Sequence, residues 1–72
     1  MQKYEDTDRD SGVSHYEIGE TSIAVWFKGG AKPYRFSYGR AGMLHVEQMK
    51  RLAVAGDGLN EYINRHVKKR YD

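Results

Sequence analysis

The tetrapeptide Gly39-Arg40-Ala41-Gly42 divides the chain into two stretches whose apolar residues repeat differently, at every second position before it and at every third or fourth after it. Alternation leaves one face of a strand apolar and helical spacing leaves one stripe, so such a chain buries both by laying helices on a sheet. Upstream, Ile23, Val25 and Phe27 alternate with Ala24, Trp26 and Lys28, which predicts a strand. Before it, Ser14, Tyr16 and Ile18 alternate with Val13, His15 and Glu17, and Gly19-Glu20-Thr21 predicts the intervening turn. Residues 29–33 predict a hairpin loop leading to a third strand, in which Tyr34, Phe36 and Tyr38 alternate with Arg35 and Ser37. Downstream, Val46, Met49, Leu52 and Ala53 share a helical face, and Glu47 stands four residues before Arg51 on the other. Gly56 predicts the stop, and Asp57 the N-cap of a second helix whose inward stripe is Leu59, Tyr62, Ile63, His66 and Val67.

The expected architecture is therefore α+β, a three-stranded antiparallel β-meander followed by two α-helices packed on one face. Tyr16, Ile18, Ile23, Val25, Phe27, Tyr34 and Phe36 would meet the helices, leaving His15, Trp26, Lys28 and Arg35 on the opposite face. Residues 1–12 are polar and nearly free of aliphatic side chains, which predicts an acidic arm or loop outside a single domain spanning 13–72. The 72 residues leave room for one core, against a common domain length of roughly 100–150.

Charge is unevenly spread. Residues 1–20 carry two basic and six acidic side chains, and residues 21–72 carry ten basic and four acidic, so the net +2 is a −4 beginning and a +6 body. A basic body suits polyanions. The chain has no cysteine, which excludes disulfides and thiolate metal sites. Met1-Gln2-Lys3-Tyr4-Glu5-Asp6 lacks the apolar stretch of a secretory signal, and no run approaches the ~20 apolar residues of a membrane span, so cytoplasmic residence is expected.

Several short segments carry a family resemblance. Val13-Ser14 followed by Ile18-Gly19, the strand Ile23-x-Val25-x-Phe27 with glycine after it, and Gly56-x-x-Leu59-Asn60-x-x-Ile63 are three of them. An aromatic-x-aromatic, either Tyr34-Arg35-Phe36 or Phe36-Ser37-Tyr38, is the fourth. Together they resemble the KTSC domain, a short domain found at the carboxyl end of some lysyl-tRNA synthetases and as stand-alone bacterial proteins. The family's central Tyr-x-Tyr is not reproduced, which leaves two registers for that strand. The resemblance implies a β-meander plus helices and a conjectured role in RNA binding.

No residues form a catalytic constellation. No serine sits in a nucleophile elbow, Gly29-Gly30 belongs to the hairpin rather than to a phosphate loop, and no paired general acid and base stands out. A non-enzymatic chain without a cofactor is expected. His15, His45 and His66 have no spacing that places two ligands on one helical turn; His66 is expected to be partly covered and His45 exposed. In the segment 6–17, Asp6, Asp8, Asp10 and Glu17 match the oxygen-ligand positions of a calcium loop. Against that, Ser11 occupies the required glycine position, too few residues precede Asp6 for an entering helix, and a strand follows.

The stronger pattern is basic and aromatic. Single strands are held by side chains that stack on bases, ringed by cations that neutralise phosphates. Trp26, Lys28 and Arg35 on the sheet, with Arg65, Lys68 and Lys69 on the last helix, are the candidate residues. Spacing leaves open whether the two groups share a surface. Lys68, Lys69 and Arg70 in a last helical turn would also complement the helix dipole. The expected function is a binding module for RNA or single-stranded nucleic acid. The alternative is a protein-interaction or self-association domain forming a homodimer through an aromatic sheet face; calcium binding ranks third.

Overall fold

The computed structural model of the chain describes residues 1–5 and 12–72. Its strands are β1 (Gln2–Lys3), β2 (Val13–Ile18), β3 (Ser22–Phe27) and β4 (Tyr34–Ser37). Its helices are α1 (Met43–Ala55) and α2 (Leu59–Tyr62), the second continuing as a π-helical stretch, Ile63–Val67. The α+β class and the order of strands before helices agree with the periodicity. The sheet, however, has four antiparallel strands in the order β1-β2-β3-β4.

The added strand comes from the arm expected to lie outside the core. Gln2 pairs with Tyr16 and Lys3 with His15, and the Tyr4 N–H donates to the Ser14 carbonyl at 3.0 Å. Tyr4 itself is only 2% exposed. Backbone pairing needs no apolar side chain, so a two-residue edge strand leaves no periodic trace, and a short lysine-bearing edge also discourages further strand addition. The acidic segment 6–11 lies outside the described residues.

Two faces differ from simple alternation. Between Val13 and His15 the register with β3 shifts, so that β2 carries one extra residue there. This β-bulge turns Val13 inward on the same side as Tyr16, both buried, instead of opposite it. Ser14, the extra residue, is half-buried, and its Oγ donates to the Trp26 carbonyl at 3.1 Å. Ile18 and Tyr34, expected inside, are 43% and 42% exposed, and each stands at a strand end.

The expected face of α1 is the buried one: Val46, Met49 and Ala53 are covered and Leu52 packs partly beside them. Gly56 ends the helix in the left-handed conformation (φ 73°), its N–H donating to the Leu52 and Ala53 carbonyls. Asp57 does not cap α2. The cap position is Gly58, and the Leu59 N–H instead donates to the Tyr4 hydroxyl at 3.1 Å. Leu59, Ile63 and Val67 form the buried stripe beyond it. In an α-helix a four-residue step over-rotates by about 40°. The wider π-turn under-rotates it, and the two errors cancel along this stripe. The same widening moves His66 outward, where it is exposed, while His45 is half-buried, the reverse of the expectation.

Between sheet and helix, the Tyr38 hydroxyl donates to Glu47 at 2.5 Å, and Lys50 meets the same carboxylate at 2.8 Å. Glu47 therefore pairs with Lys50 rather than with Arg51. The hydrogen bond from Lys50, then that from Tyr38, holds the Glu47 pKa below its ordinary value, and the bond to Glu47 raises that of Tyr38. A lowered carboxylate stabilises the fold above its unfolded pKa, and a raised phenol stabilises it below its own. The contribution of the pair should thus vanish as pH falls through the Glu47 pKa and as pH rises through that of Tyr38. Thermal melts of Glu47→Gln should differ from those of the parent above the Glu47 pKa and converge with them as pH falls below it.

Candidate nucleic-acid interface

One concavity brings part of the sheet group, Lys28, together with part of the last-helix group, Lys68 and Lys69. Phe27 closes β3, Lys28, Gly29 and Gly30 belong to the hairpin loop, Tyr34 and Phe36 come from β4, and Ile63 and Asn64 come from the π-helical stretch. Lys68, Lys69 and Tyr71 complete a groove of about 580 Å³. The hairpin loop begins with a turn in which Gly29 takes φ 80° and the Gly30 N–H donates to the Phe27 carbonyl at 3.0 Å.

Aromatic rings form its floor. Tyr34 stands edge-on to Phe27, with centroids 5.4 Å apart, and to Tyr71 at 4.8 Å. Tyr71 also meets Phe36 edge-on at 6.5 Å. Tyr34 and Tyr71 are 42% and 40% exposed, so both rings reach solvent. Tyr71 is placed by its neighbour: the Asp72 N–H donates to the Arg35 carbonyl at 2.7 Å, and Ser37 Oγ donates to Asp72 Oδ1 at 2.7 Å.

Lys28 from the β3–β4 loop and the consecutive Lys68 and Lys69 line this groove from two places in the chain, and none of its described lining residues is acidic. Lys68 and Lys69 follow the helical stretch, which ends at Val67, in a turn where Arg70 N–H donates to the Val67 carbonyl at 2.8 Å. Lys68 is the cap residue of that stretch and Lys69 follows it, so both also complement the negative end of the helix dipole.

The remaining candidates lie elsewhere. Trp26 pairs across the sheet with His15, and Arg35 with Ala24, on the face turned away from the helices. Arg35 Nε is 3.7 Å from Asp72 Oδ2. Arg65 is exposed, 3.5 Å from Glu61, and does not line the groove. Tyr71 and Asn64 were not anticipated; the aromatic residue directly after Lys68-Lys69-Arg70 was the available signal.

Comparison of the chain with protein-family models, curated proteins and solved structures gives no match. The described residues contain no group of three or more His, Cys, Asp or Glu arranged to hold a metal. Of the calcium-loop residues, Asp6, Asp8 and Asp10 lie outside the described residues, and Glu17 lies on β2 with Oε1 3.2 Å from the terminal amino group. Among the described residues no helix is long and apolar enough to cross a membrane.

Proposed function

We propose that the chain is a small non-enzymatic module that binds RNA or another single-stranded nucleic acid in the Lys28–Lys68–Lys69 groove. The carrying observation is the convergence of these three lysines around the exposed rings of Tyr34 and Tyr71. Three cations suit successive phosphates, and an exposed ring offers a base its π-face. The KTSC resemblance of the sequence implies the same class of ligand. The absence of cysteine from the sequence suits a reducing compartment, and the proposed setting is the cytoplasm.

Fluorescence anisotropy with a labelled single-stranded oligonucleotide over a salt series tests the reading. Three neutralised phosphates give a slope of log K against log salt near −2 for a single strand. Lys68→Ala with Lys69→Ala should bring that slope to about −0.7. Tyr34→Ala should weaken binding by about 1–3 kcal/mol through lost stacking. Trp26→Ala, on the other face, should leave affinity unchanged. No binding at low salt would sink the proposal.

A second reading, self-association, draws on Leu44 and Val54, which are 81% and 66% exposed on α1. Sedimentation showing only monomer at high concentration rejects it.

A further inference from the structure

His45 lies in the first turn of α1 and His66 in the π-helical stretch, yet their rings stack with centroids 5.4 Å apart and 27° between planes. Tyr62 supports both. Its hydroxyl lies 2.7 Å from His45 Nδ1, and its ring centroid lies 4.5 Å from that of His66. A phenol hydroxyl can accept as well as donate. When it accepts from Nδ1–H, His45 is held in the tautomer whose Nε2 carries a free lone pair. Metal-bound imidazoles are typically oriented in this way, by a hydrogen bond to the nitrogen that does not ligate. Short π-helical segments inside α-helices also recur at functional sites.

We propose that His45 and His66 form a two-histidine site for a divalent transition-metal ion such as Zn²⁺ or Ni²⁺, clamping α1 to the π-helical stretch, with water completing the coordination. Imidazole nitrogen selects such ions over Mg²⁺ and Ca²⁺. Metal–nitrogen bonds of about 2.0–2.1 Å need the two ligating nitrogens about 3.4 Å apart. The exposed ring of His66 can turn to meet that distance, whereas His45 is fixed by Tyr62. Glu47 lines the neighbouring groove, but its carboxylate is engaged by Tyr38 and Lys50, and Arg51 adds positive charge there. With two protein ligands the site is an exchangeable one. This inference is independent of nucleic-acid binding.

The test is a Zn²⁺ titration of the full chain followed by NMR of the histidine ring protons, with thermal melts in parallel. The His45 and His66 resonances should move together while those of His15 stay, and a chelator should reverse the change. At ten times its Kd the ion should raise Tm by about 6–10 °C. His66→Ala, at an exposed position, should keep the metal-free Tm and lose both responses; Mg²⁺ should produce neither. Unchanged His45 and His66 resonances at millimolar Zn²⁺, or a response that survives in His66→Ala, would overturn the proposal.

Discussion

Tyr4→Ala should destabilise the chain by about 3–5 kcal/mol, the range for truncating a buried aromatic residue. A domain of this size has roughly 4–11 kcal/mol in all, so the variant should be largely unfolded at modest denaturant. The effect has two separable parts. Tyr4 is 2% exposed among the core residues, and its hydroxyl accepts from the Leu59 N–H, one of the amides that the start of α2 leaves without a helical partner. Tyr4→Phe keeps the ring and removes the acceptor, which should cost about 1–3 kcal/mol. Urea unfolding of both variants checks this. Were residues 1–5 merely draped over the surface, both changes would stay within about 0.5 kcal/mol.

Gly56→Ala should be the second severe change, at about 2–4 kcal/mol. A left-handed conformation costs a residue with a side chain about 1–2 kcal/mol, and Gly56 has φ 73°. The added methyl would also stand 2.5 Å from Glu5 Cβ and 3.4 Å from Glu5 Cα, so the backbone of the amino-terminal arm has to move. That part of the penalty depends on the arm being docked. In a Tyr4→Ala background the cost of Gly56→Ala should therefore shrink toward the backbone component alone, and a double-mutant cycle by urea unfolding should show non-additivity of 1 kcal/mol or more. Strict additivity would mean that the arm and the turn after α1 are not coupled.

Both predictions depend on an element invisible to periodicity. The arm contributes one ring, one hydroxyl and a few backbone hydrogen bonds, none of which repeats along the chain. The bulge at Val13 is equally silent, since a single extra residue breaks alternation and reads as a flaw in the pattern. The π-helical stretch is a third case: its i+4 stripe of Leu59, Ile63 and Val67 is also compatible with an α-helix, and only the outward position of His66 reveals the difference. By contrast, β3 and α1 were legible because each has at least three apolar residues on one face, so that any other arrangement would expose them.

The candidate interface divides along the same line. Lys28, Lys68 and Lys69 stood out by charge, but their meeting depends on where the β3–β4 hairpin and the end of the helical stretch come to rest. Trp26 and Arg35 stood out as strongly and lie across the sheet.

The change of period at Gly39–Gly42 determined, by itself, that this chain places strands before helices and buries Ile23, Val25, Phe36, Val46 and Met49 between them. Burial of an apolar face is a local demand that each segment carries in its own residues. Tertiary structure alone decided that Tyr4 enters the core, that Leu59 is capped from the far end of the chain, that Lys28 shares a groove with Lys68 and Lys69, and that His45 meets His66. Such contacts join single residues distant in sequence, and a single contact has no period to read.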